Sequence, residues 1–170
     1  KPHLSLVVPC YDEEENVEPL IEQCFSVLAR LGAPFEMICI DDGSRDGTLE
    51  KLRRERGRRP ELRVLRLSRN TGQSGALLAG FSAARGDIIA TLDADLQNDP
   101  EDLPMLLRHL EEGRLDMVNG WRKKRRDTFL RRLNGAAWTL LMDLLLRLRV
   151  RDVDCAFKLY PTELFRRIDL

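Results

Sequence analysis

The stretch Ile88-Ile89-Ala90-Thr91-Leu92-Asp93-Ala94-Asp95-Leu96-Gln97 decides how this chain is read. Its apolar, β-branched first half has the character of a buried strand, and two carboxylates one residue apart stand where that strand ends. In an extended segment the side chains at i and i+2 point the same way, so Asp93 and Asp95 are expected to converge. Like charges held together repel unless a cation lies between them, and hard oxygen ligands favour Mg²⁺ or Mn²⁺. Two carboxylates are too few for a closed structural site, so coordination positions stay open for a ligand. The same residues also read as two solvated aspartates in a loop that turns at Asp99-Pro100. The rest of the chain weighs between the two.

Working outward, short apolar runs recur at Leu4 to Pro9, Phe35 to Ile40, Leu62 to Leu67 and Leu115 to Val118. Between them, Val17 to Leu31, Thr48 to Arg56, Gly75 to Ala84 and Pro100 to Glu112 read as helices. In the first of these, Val17, Leu20, Ile21, Cys24, Phe25, Leu28 and Leu31 recur at helical spacing. Pro100 suits the first helical position, and Glu101 and Asp102 suit the positive end of the helix dipole. The βαβαβαβ alternation implies an α/β domain, a mostly parallel central sheet flanked by helices on both faces. Such folds bind ligands outside the carboxyl ends of their strands. Four chemically loaded segments fall there: Cys10 to Glu14, Asp41 to Gly47, Ser68 to Gly75 and Asp93 to Gln97.

Composition excludes some functions. At 170 residues the chain is the size of one domain, expected to span 1–170. Lys plus Arg equals Asp plus Glu at 28 each, which gives no general pull towards nucleic acid, so no nucleic-acid partner is expected. The charge is nonetheless uneven, acidic at Asp12 to Glu15 and basic at Arg122 to Arg126 and Arg131-Arg132. Cys10, Cys24, Cys39 and Cys155 lack Cys-x-x-Cys spacing and lie in or beside apolar runs. They read as buried free thiols in a reducing compartment. No uninterrupted apolar run reaches the ~18 residues needed to cross a bilayer. The chain begins at Lys1 without Met and ends on Leu170 with no evident stop, so it is expected to be a piece of a longer, membrane-anchored protein.

Each loaded segment has a structural reading beside the chemical one. In Asp41-Asp42-Gly43-Ser44-Arg45-Asp46-Gly47-Thr48 the glycines permit tight turns, and Asp46 or Thr48 can cap the next helix. One of Asp41 and Asp42 can instead accept hydrogen bonds from a nucleobase or a ribose hydroxyl. Asn70-Thr71-Gly72-Gln73-Ser74-Gly75 is a helix start, with Thr71 or Ser74 near the cap, or a set of amides offered to an anion. There is no P-loop lysine and no Gly-x-Gly-x-x-Gly. The basic run Arg122 to Arg126 is a solvated loop or, with Arg131-Arg132, a contact for phosphate or an anionic membrane. His3 and His109 stand alone, and no Ser–His–Asp or Cys–His arrangement is defensible.

Taken together, five motifs resemble those of the family 2 glycosyltransferases. They are Pro9-Cys10-Tyr11-Asp12-Glu13-Glu14, Asp41 to Thr48, Asn70-Thr71-Gly72-Gln73, Asp93-Ala94-Asp95-Leu96-Gln97 and Asp154-Cys155-Ala156-Phe157-Lys158-Leu159-Tyr160. Within that family they are most similar to the dolichol-phosphate mannose synthase and polyprenyl-phosphate glycosyltransferase branch. The resemblance implies a GT-A fold, a nucleotide-diphospho-sugar donor (UDP- or GDP-sugar), Mg²⁺ or Mn²⁺, and a role in cell-envelope or glycan biosynthesis.

Position by position, the resemblance places Pro9, Tyr11, Glu13 and Asp42 at the nucleoside. Gln73 and Ala94 fall in its donor-binding motifs. Asp93, Asp95 and Gln97 fall at the metal and donor diphosphate. Arg122 stands where relatives carry a phosphate-binding arginine, and Arg131 with Asn134 where they contact the lipid phosphate. Asp12 replaces the usual Asn, and Cys155-Ala156 replaces a Ser/Thr-Gly-type pair on the acceptor side. The implied reaction is inverting transfer to a polyprenyl (dolichyl or undecaprenyl) phosphate. Such a phosphate has a second pKa of about 6 and arrives ionised, so it needs little help from a base. Asp152 and Asp154 are candidates for a base or orienting role, or are structural; the catalytic set is Asp93, Asp95 and Asp154. The segment 127–149 mixes leucines with arginines as an interfacial helix does, so a membrane surface is an expected partner. The expected location is cytoplasmic or the cytoplasmic face of a membrane, peripheral, or integral if an anchor lies beyond residue 170. Two alternatives remain open: a sibling enzyme that glycosylates a hydroxyl of a saccharide or protein, and an inactive nucleotide-sugar-binding module.

Overall fold

The computed structural model describes residues 1–121 and 155–167. Six strands form one sheet in the order β3-β2-β1-β4-β6-β5. The strands are β1 (Leu4–Cys10), β2 (Phe35–Asp41), β3 (Leu62–Arg66), β4 (Ile88–Thr91), β5 (Val118–Asn119) and β6 (Lys158–Pro161). The first four are mutually parallel, as the alternation of elements requires, and β6 lies antiparallel to both β4 and β5. Helices α1 (Val17–Arg30), α2 (Thr48–Arg56), α3 (Gly72–Ala83), α4 (Leu103–Gly113) and α5 (Thr162–Arg167) connect or follow them.

Period-2 alternation sends each strand's residues to two separate cores. Leu6, Val8, Met37, Cys39 and Ala90 pack with Leu20, Ile21, Cys24 and Leu28 of α1, Leu52 of α2 and Leu103, Leu107 and Leu110 of α4. Their neighbours Val7, Ile38, Ile40 and Ile89 face the other way, against Ala76, Leu77 and Phe81 of α3. Helices therefore cover both faces. In α1 the residues read as one stripe are buried, except Phe25 and Leu31, which are half-buried at its margin. Among the described residues no helix is long and apolar enough to cross a membrane.

Three elements differ from the sequence reading. Helix α3 begins at Gly72, three residues before Gly75, because its apolar residues run almost around the helix and mark no starting face. The strand expected at Leu115 to Val118 is only Val118–Asn119, since Arg114 ends α4 in the left-handed region and Leu115 and Met117 remain exposed. Strand β6 and helix α5 have no local signal of their own. Lys158–Pro161 is held by pairing with β4, Ala90 opposite Leu159 and Thr91 opposite Lys158.

Candidate active site

Registers Cys10↔Asp41 and Val7↔Thr91 bring the carboxyl ends of β1, β2 and β4 to one edge of the sheet. A cleft of about 330 Å³ opens there. Pro9, Tyr11 and Glu13 line it from the β1 side, Asp42 from β2, Gln73 from the start of α3, and Asp93, Ala94 and Asp95 from beyond β4. Apart from Gln97, every nucleoside and donor residue assigned from sequence within the described residues thus meets in one cavity. Gln97 is exposed and does not line it; its backbone N–H donates to Asp95 Oδ1 at 3.1 Å. Arg122, Arg131, Asn134, Asp152, Asp154 and the 127–149 helix lie outside the described residues.

The wall on the β1 and β2 side is two loops clasped together. Asp12 sits at φ +53°, a conformation Asp tolerates better than most residues. Its N–H donates to Ser44 Oγ at 3.1 Å, and its own Oδ1 accepts from the Arg45 N–H at 2.7 Å. The Glu13 N–H donates to Thr48 Oγ1 at 2.8 Å, the Glu14 N–H to Asp46 Oδ2 at 3.1 Å and the Gly47 N–H to Glu14 Oε2 at 3.0 Å. Sequence reasoning noted Asp12 only as a replacement for Asn; the structure shows it tying the two loops. Burial opposes ionisation of Asp46, but donors from the Thr48 side chain and backbone and from the Glu14 N–H outweigh it, holding the carboxyl below its ordinary range.

Asp41 and Asp42 divide their labour. Asp41 is fully buried and turned into the loop, where Oδ1 accepts from the Ser44 N–H at 3.1 Å. Its Oδ2 has no hydrogen-bond partner, and Arg66 Nε stands 4.0 Å away. Asp42 faces the cleft, with Oδ1 accepting from both the N–H and the Oγ1 of Thr71 at 2.8 Å each. Thr71 precedes α3, as expected of a cap, yet its hydroxyl serves Asp42 and not the helix amides. Gly43, at φ +74°, makes the approach possible: a Cβ there would fall 2.8 Å from the Arg69 carbonyl carbon.

At the far end Asp93 and Asp95 enter the same cleft for a different reason from the one expected. Strand β4 stops at Thr91, so the pair does not converge by strand alternation. A turn through buried Ala94, with Leu96 at φ +58° and the Gln97 N–H on Asp95, lets both line the cleft. Gln73 Nε2 donates to Asp93 Oδ1 at 2.6 Å. Among the described residues no group of three or more His, Cys, Asp or Glu side chains clusters as a closed metal site. The donor set is therefore two hard carboxylates with open positions, which suits Mg²⁺ or Mn²⁺ and no soft metal.

The cysteines behave as packing residues. Cys10, Cys24, Cys39 and Cys155 are all free and buried. Burial, with Cys10 nearby, pushes the Cys24 thiol up to about 12. Cys39 is raised by its hydrogen bond with Cys10 and by burial. Neither is a nucleophile at neutral pH.

In an open α/β sheet, the crevice outside the carboxyl ends of the strands, at the switch point of their order, is where ligands bind, and this carboxylate-lined cleft lies there. The chain matches the glycosyl transferase family 2 model over residues 5–169, and it belongs to that family. It is 40% identical over 169 residues to the dodecaprenyl-phosphate galacturonate synthase of Rhizobium johnstonii, covering 98% of this chain and 50% of that protein. It is 37% identical over 160 residues to the undecaprenyl-phosphate 4-deoxy-4-formamido-L-arabinose transferase of Pectobacterium atrosepticum, covering 93% and 48%. The chain thus spans about half the length of the curated relatives it matches.

Among solved structures, it is similar to glucosyl-3-phosphoglycerate synthase from Mycobacterium tuberculosis in complex with Mn²⁺, UDP-glucose and phosphoglyceric acid. The TM-score is 0.75 at 24% identity, over 96% of this chain and 58% of that one. A mannosyltransferase from Pyrobaculum calidifontis in complex with GDP-Man and Mn²⁺ gives 0.69 at 21% identity, over 98% and 46%. These likenesses show the shared GT-A fold.

Proposed function

We propose that the full-length protein transfers a sugar, with inversion, from a UDP- or GDP-sugar to a polyprenyl phosphate, using Mg²⁺ or Mn²⁺. The observation that carries this reading is the disposition of carboxylates along one cleft, Asp42 at one end and the Asp93/Asp95 pair at the other. That separation suits a ligand with a base, a ribose and a diphosphate in sequence. The two relatives named above are, by name, synthases or transferases of dodecaprenyl- and undecaprenyl-phosphate, which supports a lipid phosphate as acceptor.

Asp93 and Asp95 are the residues that would hold a divalent ion, which would supply Lewis acidity where charge builds on the leaving diphosphate. The chain's own residues do the positioning. Gln73 fixes Asp93, and Asp42 accepts from the base. The Asp12–Ser44–Arg45 clasp keeps the Pro9–Tyr11–Glu13 wall in place without the donor. An ionised acceptor phosphate needs cationic clamps more than a strong base. Arg122 and Arg131 take that part from their sequence positions, and Asp154 orients the acceptor. The 127–149 segment brings the domain to the cytoplasmic face of the membrane, because a polyprenyl chain leaves lipid at a cost of roughly 0.8 kcal/mol per CH₂.

The test uses full-length protein in vesicles with radiolabelled UDP- and GDP-sugars. Label is expected in the lipid fraction only when both polyprenyl phosphate and a divalent cation are present, and EDTA abolishes it. Label on a soluble saccharide or protein hydroxyl, with none on lipid, would replace this reading with the hydroxyl-glycosylating one. Donor binding with neither transfer nor metal-dependent hydrolysis would replace it with an inactive module.

A further inference from the structure

Asp42 is 3% exposed and lines the cleft, but its two oxygens are not equivalent. Oδ1 takes both donors of Thr71, the backbone N–H and the hydroxyl, each at 2.8 Å. Oδ2 makes no hydrogen bond among the described residues, and it is not one of the sealed, unpartnered atoms. It is the oxygen left to face a ligand. The Thr71 hydroxyl reaches Asp42 because the residue four positions on is glycine: a Cβ at Gly75 would lie 2.5 Å from Thr71 Oγ1.

A carboxylate accepts and does not donate, so a base must present N–H to it. Guanine offers a ring N–H and an exocyclic amino group side by side, a pair best met by two free carboxylate oxygens. Uracil offers one N–H between two carbonyls. A second free carboxylate oxygen there would face a carbonyl lone pair, so a single oxygen is the better partner. Cytosine turns a bare ring nitrogen towards the same place. We propose that Thr71 is the residue that sets base preference: by occupying Asp42 Oδ1 it leaves one acceptor, and the site favours uridine over guanosine. This rests on the reading of Asp42 as the nucleobase residue and narrows the donor class to uridine-diphospho-sugars. Thr71 acts through Asp42 and is a positioning residue.

The experiment is calorimetric titration of the full-length protein with UDP, GDP and CDP, each with Mn²⁺, alongside Thr71→Val and Thr71→Ser. Wild type should bind UDP at least about tenfold tighter than GDP or CDP, the scale of one hydrogen bond to a charged group. Thr71→Val keeps the shape and the backbone donor but loses the hydroxyl and frees part of Asp42 Oδ1, so GDP affinity should rise, UDP affinity should fall, and the UDP-to-GDP preference should drop about tenfold. Thr71→Ser should restore the wild-type ratio. A structural role for Thr71 would weaken all three nucleotides together and would not be rescued in ratio by serine. GDP binding as tightly as UDP in the wild type, or an unchanged ratio in Thr71→Val, overturns the proposal while leaving the nucleotide-sugar reading intact. CDP binding as well as UDP shows that Asp42 does not meet the base edge and overturns it too. Binding of none of the three refutes the reading under Proposed function, and this inference falls with it.

Discussion

Replacing Glu36 by Gln tests how the bottom of the sheet is held. Glu36 is the second residue of β2 and is 5% exposed. Its Oε1 accepts from Ser5 Oγ and from the Arg85 N–H, both at 2.7 Å, and its Oε2 accepts from Arg63 Nη1 at 2.7 Å. Arg63 reaches on to the Ala83 carbonyl at 2.8 Å, so one carboxylate ties β1, β2, β3 and the α3–β4 loop. Gln keeps the shape and one acceptor oxygen, but its amide hydrogens would confront the Arg63 guanidinium. The loss is one charge-assisted hydrogen bond plus an unpaired buried donor, about 2–4 kcal/mol. Burial raises the Glu36 pKa, but the Ser5, Arg63 and Arg85 donors outweigh it and hold the carboxyl below its ordinary range. A lowered native pKa stabilises above the unfolded value and is lost as pH falls through the folded one. The gap between wild type and Glu36→Gln in urea unfolding should therefore be full at pH 7 and shrink below about pH 4. Nucleotide affinity should not move, because β1 and β2 carry this network at their amino ends, roughly 20 Å of strand from the cleft. A gap under about 0.5 kcal/mol, or one as large at pH 3 as at pH 7, would refute the reasoning.

Asp93→Asn and Asp95→Asn should each depress transfer by the full-length protein. The double variant should fall far short of the product of the two effects, since the carboxylates act as a unit; near-wild-type rates in Asp95→Asn would end the assignment. Gln73→Ala removes the hydrogen bond to Asp93 Oδ1 and should weaken Mn²⁺ binding about tenfold, read by electron paramagnetic resonance without any turnover; unaltered Mn²⁺ affinity would leave Gln73 a surface residue. Arg131→Ala with Arg132→Ala should reduce transfer to lipid phosphate and liposome flotation together while donor affinity stays constant. Loss of donor binding instead would move those arginines to the nucleotide side.

The strands β1 to β4 and their helices were legible because burial on two faces writes long apolar runs, and amphipathic helices write a periodic stripe. The cleft was legible for a related reason: polar residues packed against the ends of such runs have few structural uses. What could not be read were contacts made only once the sheet has its register. Thr71 meets Asp42 across 29 residues, and Asp12 meets Arg45 across 33. Neither pairing leaves a local pattern, so the sequence shows Thr71 as a helix cap and Asp12 as a replacement for Asn, not their ties to Asp42 and Arg45. Strand β6 failed for the same reason, since four residues containing Lys and Pro become a strand only beside β4.

That late partner for β4 has a consequence for synthesis on the ribosome. Thr91 donates its hydroxyl to the Ala156 carbonyl, a residue 65 positions further along the chain. At about 5–20 residues per second, roughly 3–13 s pass before that stretch follows Thr91 out of the peptidyl-transferase centre. During that interval β1 to β4 can assemble, while one side of the Ile88–Thr91 backbone has no neighbour to bond. An apolar edge of this kind invites pairing with another nascent chain. A ribosome stalled after Asp95 has emerged and before residue 155 is made would therefore present the cleft beside an unpaired, adhesive sheet edge, and such intermediates should be chaperone clients.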